Sequence, residues 1–232
     1  MKGLSREDMA RIAAQDIAEG SYVNLGIGLP TLMADYVPAG RELVFQSEQG
    51  LLGLGPKARP GEEDEDVLNA GKQFVTLLPG ASIFSHSDSF LMIRGGHIDV
   101  ACLGAFQVAA NGDMANWSTG GSEYAPGVGG AMDLAAGARS VWVLMEHCQK
   151  DGSPRVLERC TYPLTAPACV NRVYTNLAVL AVTSEGFVVE RMVPGLGLPA
   201  LQRASGARLR LSPDCKPYCV DTSIAVAAPD AR

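Results

Sequence analysis

Apolar positions recur along this chain in two rhythms. Met9, Ile12, Ala13 and Ile17 fall at helical spacing behind Ser5 and Asp8, a capping-box pattern, and the run meets a stop at Gly20. Short apolar runs without helical period follow: Tyr22-Val23-Asn24-Leu25, Glu42 to Gln46, Phe74 to Leu78, Ile98 to Leu103, Ser140 to Met145, Leu177 to Val182 and Phe187 to Glu190. Runs of this length bounded by Gly, Pro and polar turn residues predict buried strands. Between them, Leu32 to Tyr36, Ser89 to Arg94, Met132 to Ala136 and Leu198 to Ala204 predict helices, the second closed by Gly95-Gly96. Asn111-Gly112-Asp113 and Thr183 to Gly186 each sit between two strand-like runs and predict hairpins. The expected fold class is therefore α/β, an open, mainly parallel sheet flanked by helices, with hairpin additions.

The pattern breaks near Pro213, beyond which the sequence is rich in Pro and Ala without a period. The expectation is one domain over residues 1–212 and a loosely ordered tail over 213–232. The 232 residues are 47% hydrophobic and 19% charged, values of a globular protein with a sizeable core. A formal net charge of −6 offers no basic footprint, so neither nucleic acid nor an anionic membrane is an expected partner. The beginning of the chain has no apolar h-region and no run reaches the ~18 residues of a membrane span, so the expected location is cytoplasmic. The six cysteines form no C-x-x-C pair and the three histidines are far apart, which gives no metal site and reads as reduced thiols; Cys215 with Cys219 is the one spacing open to pairing or metal binding.

Candidate chemistry centres on Ser47-Glu48-Gln49-Gly50, a carboxylate just past a strand end with Leu51 to Pro56, read as a glycine-rich loop, behind it. Ligands of open α/β sheets bind outside the carboxyl ends of strands, so Glu48 is a candidate nucleophile; a surface turn glutamate is the alternative. Other stretches carry less. Gly26-Ile27-Gly28 lacks the third glycine of a dinucleotide fingerprint, with Thr31 in its place, and the acidic run Gly61 to Asp66 reads as a solvated loop entering a helix. Ser85-His86-Ser87-Asp88 has the residue types of a hydrolase triad, but adjacent residues cannot reach the geometry. Lys72, in Asn69-Ala70-Gly71-Lys72, is either a surface lysine or an anion partner. Gln107 and Asn116, polar in apolar strands, either complete a core network or line a pocket. The glycines from Thr119 to Ala131 provide either a connector or a concavity of N–H groups suited to an oxyanion.

Seven segments in order resemble the beta chain of two-subunit class I CoA-transferases acting on 3-oxo acids: Asn24 to Gly28, Ser47 to Gly50, Asn69 to Lys72, Met92 to His97, Leu103 to Val108, Gly112 to Trp117 and Gly129 to Leu134. The resemblance covers the chain from the first helix to about Leu211. It implies a CoA-transferase-like fold, with Glu48 as covalent nucleophile and Gly129 and Gly130 as oxyanion loop. It also implies a substrate- and CoA-binding set made of Lys72, Gln107, Gln49 and Asn69. No metal and no permanently bound cofactor is implied; the CoA thioester enters as substrate. The family motif is Ser-Glu-Asn-Gly, and Gln49 replaces its asparagine, so an orienting hydrogen bond is expected to differ. The implied partner is a separate alpha subunit in an assembly with two of each. Cys160 to Thr165 and Arg172 to Thr175 resemble the 3-oxoadipate branch, which uses succinyl-CoA in aromatic catabolism, more than the acetoacetate branch. Succinyl-CoA:acetoacetate transfer and a non-catalytic CoA-binding subunit are the alternatives.

Overall fold

The computed structural model describes residues 3–121 and 127–226. In chain order the elements are α1 (Arg6–Asp16), β1 (Tyr22–Leu25), a 3-10 helix (Leu29–Tyr36), β2 (Val44–Ser47), β3 (Leu51–Lys57), β4 (Val75–Ile83), α2 (His86–Arg94), β5 (Val100–Leu103), β6 (Gln107–Ala109) and β7 (Met114–Ala115). They continue with α3 (Ala131–Gly137), β8 (Ser140–Met145), β9 (Val156–Leu157), β10 (Val170–Thr175), β11 (Ala178–Thr183), β12 (Gly186–Met192), α4 (Leu198–Arg203) and β13 (Leu209–Pro217). Ten strands form one sheet in the order β13-β12-β11-β10-β8-β5-β1-β2-β3-β4, and β7-β6-β9 form a second, small sheet. The middle strands β10, β8, β5, β1 and β2 are all parallel, while β3 and β4 on one side and β11 and β12 on the other are added by antiparallel pairing.

The central strands are apolar without alternation because both faces of the sheet are covered. Along β8, Val141, Val143 and Met145 enter one core cluster while Trp142 and Leu144 enter the other. β5 divides in the same way, with Ala101 and Leu103 on one face and Val100 and Cys102 on the other. One face is covered by α1, whose Met9, Ile12 and Ala13 are buried, and by the 3-10 helix. The opposite face is covered from α2, α3 and α4 through Ile93, Leu134 and Leu201. Ser5 caps α1 by accepting a hydrogen bond from the Asp8 amide at 3.0 Å, as its capping-box spacing requires.

Three expectations are corrected. Leu51 to Pro56 is not a loop but most of β3, whose Gly53 and Gly55 lie within a strand; Gly55 packs so closely on Thr76 of β4 that a side chain there would clash. The acidic run does not enter a helix: it stays an exposed loop that leads through a bridge between Leu68 and Phe74 into β4. The chain beyond Pro213 is not loose through residue 226. β13 runs parallel to β12, Tyr218 is fully buried in the α1-side core, and Pro38 bridges Val226. Proline is tolerated there because β13 is the sheet's edge, where one side of the strand needs no partner. No helix among the described residues is long and apolar enough to cross a membrane, and all six cysteines are free thiols.

Candidate active site

Parallel pairing brings the carboxyl ends of β1, β2, β5 and β8 to one edge of the sheet. A cavity of about 710 Å³ opens there, lined by Asn24 and Leu25 after β1, Glu48 after β2, Leu103 to Phe106 after β5, Leu144 to Glu146 at the end of β8, and Gly127 to Ala131 ahead of α3. Glu48 lies in the tight turn between β2 and β3. Gly50 makes that turn possible. Its φ of +114° is open to glycine, and a β-carbon there would overlap the Phe84 carbonyl, which lies alongside because the Phe84 amide donates to Gly50 O at 2.9 Å.

A buried chain of polar groups fixes the strand end that carries Glu48. Asn24 Nδ2 donates to Gln46 Oε1 at 2.5 Å, Gln46 Nε2 donates to Ser89 Oγ at 2.6 Å, and Ser89 Oγ donates to the Ser47 carbonyl at 3.3 Å. All four residues are buried, so β1, β2 and α2 are tied together immediately behind the carboxylate.

The carboxylate itself presses on Gly130. A β-carbon on Gly130 would overlap Glu48 Oε2 and stand 2.9 Å from Phe90 Cζ. Phe90 is held between two side chains of α2, with the His86 ring 4.7 Å away centroid to centroid and the Arg94 guanidinium 5.5 Å from its centroid. Arg94 also pairs with Asp133 of α3 at 2.6 Å. Burial raises the Glu48 pKa above the ordinary glutamate value; the charge of His86 opposes the rise and Asp133 adds to it. The carboxylate is thus a partly desolvated anion facing glycine backbone, an arrangement suited to attack on an electrophilic carbonyl.

The structure brings Glu48, Gly129 and Gly130 into one cavity; Ser122 to Pro126 of the glycine-rich stretch lie outside the described residues. The other candidates sit differently. Gln49 points away from the carboxylate. Its Oε1 accepts from Ser47 Oγ, and its Nε2 donates to the Asn69 carbonyl at 3.1 Å. Asn69 uses its side chain on its own turn, accepting from the amides of Gly71 at 2.8 Å and Gln73 at 3.1 Å. Lys72 is exposed on that turn with φ of +58°, and of the turn's four residues Ala70 is the one that reaches the cavity. Gln107 is corrected to a core role: it is buried, it donates to Thr161 Oγ1 at 2.9 Å, and it accepts from the amides of Thr161 and Tyr162 at 2.8 and 3.1 Å. That leaves its amide no capacity for a ligand, and it lies outside the cavity lining. Asn116 does line the cavity, its amide held by Thr165 Oγ1 at 2.6 Å and the Gly104 carbonyl at 3.2 Å.

Sequence reasoning missed Gln46 and Ser89, whose roles depend on β2 and α2 meeting behind the turn, and Arg6, Glu146 and Arg155, which the fold gathers from distant positions. His86 was visible as a polar residue but carried no sign of its neighbour Glu48.

Three comparisons bear on this cavity. The sequence profile described as Coenzyme A transferase matches residues 6–201. The chain is 56% identical over 208 residues to the second (B-type) chain of 3-oxoadipate CoA-transferase from Pseudomonas putida, covering 90% of this chain and 97% of that protein. It is 46% identical over 206 residues to the corresponding chain of succinyl-CoA:3-ketoacid coenzyme A transferase from Helicobacter pylori, covering 89% and 99%. Among solved structures, the acyl-CoA transferase apoenzyme of Escherichia coli O157:H7 superposes with a TM-score of 0.74 at 17% identity, covering 98% of this chain and 46% of that longer one, a likeness of fold. The cavity at the parallel strand ends, with Glu48 at its wall, is therefore the candidate active site of a chain that belongs to the coenzyme A transferase family.

Proposed function

We propose that this chain is the beta subunit of a transferase that moves CoA from succinyl-CoA to a 3-oxo acid, 3-oxoadipate in preference to acetoacetate, through a covalent thioester on Glu48. The observation that carries the reading is the placement of the Glu48 carboxylate: half-buried, at the end of β2, against the backbone of Gly130 inside the cavity. Glu48 attacks the thioester carbonyl and expels CoA thiolate, leaving a mixed anhydride. The thiolate then attacks the glutamyl carbonyl and releases succinate, so that CoA is held on Glu48 as a thioester. The acceptor carboxylate runs the same steps in reverse and leaves as its CoA ester. Each step passes through a tetrahedral oxyanion, for which backbone N–H groups around Gly129 and Gly130 supply donors, each worth ~3 kcal/mol. A carboxylate nucleophile requires no general base, and thioester energy is conserved without a permanently bound cofactor.

The preference for 3-oxoadipate rests on the 56% identity to the Pseudomonas putida chain, against 46% to the Helicobacter pylori succinyl-CoA:3-ketoacid chain. Both relatives are the second of two kinds of chain, which supports an alpha subunit as partner here, two of each, in a cytoplasmic enzyme of aromatic catabolism. Lys72, Gln49 and Asn69 enter this reading as the loop that borders bound CoA, with Ala70 reaching the cavity wall. The test is to incubate the complex reconstituted with its alpha subunit with succinyl-CoA and digest it. A peptide containing Glu48 with CoA attached is the expected product. Full transfer activity in a Glu48→Ala complex overturns the covalent mechanism.

A further inference from the structure

The cavity that contains Glu48 is lined by two cationic side chains, Arg6 and Arg155. Arg6 is exposed at the first position of α1, where solvent reaches its guanidinium. Arg155 is held more firmly. It precedes β9, its amide donates to the His147 carbonyl at 3.0 Å, and its carbonyl accepts from Val108 at 3.0 Å. Its Nε is buried and has no hydrogen-bond partner. The Nε atoms of Arg11 and Arg210 are in the same condition, but those guanidinium groups bond elsewhere, Arg11 to the Ile224 carbonyl at 3.3 Å and Arg210 to Glu185. Among the described residues Arg155 is the one of the three whose guanidinium makes neither a hydrogen bond nor an ion pair. A partly desolvated guanidinium costs free energy until a planar anion engages its fork of donors.

The lining also carries two carboxylates, Glu48 and Glu146. A substrate with a second carboxylate would enter against both of them, so its binding requires a compensating cation inside the cavity. Succinyl-CoA and 3-oxoadipate each carry a carboxylate remote from the reacting carbonyl; acetoacetate carries none. We propose that Arg155 holds this free, non-reacting carboxylate while the other end of the acid reacts at Glu48, and so selects dicarboxylic over monocarboxylic substrates. This deepens the reading given under Proposed function and rests on it for the identity of the reaction.

The test compares wild type with Arg155→Gln, Arg155→Lys and Arg6→Gln, each reconstituted with the alpha subunit, using 3-oxoadipate and acetoacetate as acceptors. The quantity read is the ratio of kcat/KM for the two acids, in which any loss of folded enzyme cancels. Arg155→Gln lowers the ratio by roughly 30-fold or more, mainly through KM for the dicarboxylate, as expected for the loss of a charge-assisted pair. Arg155→Lys restores part of it, since the charge returns without the fork. An unchanged ratio in Arg155→Gln, or an equal fall in Arg6→Gln, overturns the proposal. Equilibrium binding of succinate against butyrate to the same complexes gives a readout without turnover. If wild type transfers CoA to neither acid, the reaction assignment fails, while a succinate preference that disappears in Arg155→Gln still upholds the role of Arg155.

Discussion

Glu48 Oε2 occupies the space that a β-carbon on Gly130 would fill. Gly130 has ordinary helical dihedrals, φ −76° and ψ −1°, so the position requires glycine for room and not for conformation. Gly129 is the opposite case, with φ of +62° and nothing near its missing β-carbon. The two substitutions therefore separate. Gly130→Ala leaves thermal stability close to wild type but displaces the carboxylate and lowers CoA transfer by about 100-fold or more. Gly129→Ala costs ~1 kcal/mol of stability through its left-handed backbone, with a smaller loss of rate. Melting curves and transfer assays on both variants check the separation.

Because burial lifts the Glu48 pKa, the folded chain binds that proton more tightly than the unfolded chain does. Stability from this group is present below the ordinary glutamate value and is lost as pH rises through the raised value. Glu48→Gln removes the loss, so the variant is more stable than wild type at neutral pH and indistinguishable from it in acid. Denaturant titrations across that range measure the difference. The same shift places the acid limb of enzyme–CoA formation above an ordinary glutamate titration. His86→Asn moves the limb further up, since the opposing charge is removed, and Asp133→Asn moves it down.

The chain from Asn24 through Gln46 and Ser89 to Ser47 ends on the carbonyl that precedes Glu48. Ser89→Ala leaves Gln46 Nε2 buried without a partner, a cost of about 1–3 kcal/mol, and frees the end of β2. The expected outcome is a destabilised chain whose kcat falls while KM changes little, since Ser89 touches no substrate. Steady-state kinetics beside a denaturant titration check it. A kcat equal to wild type would show that the turn holds Glu48 without this support.

Glu48 was legible in the sequence because the strand before it is apolar, the turn glycine follows it, and both features act over a few residues. Gly129 and Gly130 were legible for the same local reason. The buried strands of the parallel centre announced themselves by composition, since burial on both faces leaves little room for polar residues. β3 and β10 did not. β3 contains two glycines and a proline, and its pairing with β2 and β4 is a tertiary fact that overrides weak strand propensity. Gln107 misled in the other direction: its polar side chain in an apolar strand fits a ligand contact or a buried network equally well, and the Thr161 loop, more than fifty residues on, decides for the network. Arg155 was invisible because what distinguishes it is the absence of a partner, which no local pattern records.

Tyr218 tests the part of the chain where the sequence reading failed most. Pro and Ala content suggested a loose end, yet the Tyr218 ring is fully buried beside α1 and its amide donates to the Met192 carbonyl at 2.8 Å. Its hydroxyl has no hydrogen-bond partner, and burial pushes its pKa well up, so the phenol stays neutral. Ring and hydroxyl then contribute with opposite sign. Tyr218→Ala opens a large cavity and costs about 3–5 kcal/mol. Tyr218→Phe keeps the packing and removes an unsatisfied polar atom, so it is neutral or stabilising by ~1 kcal/mol. Urea denaturation of the two variants gives the comparison. A small effect of Tyr218→Ala would place the tail outside the core after all, while a costly Tyr218→Phe would mean that the hydroxyl has a partner, with Asp16 the first candidate because its charge already acts on the phenol.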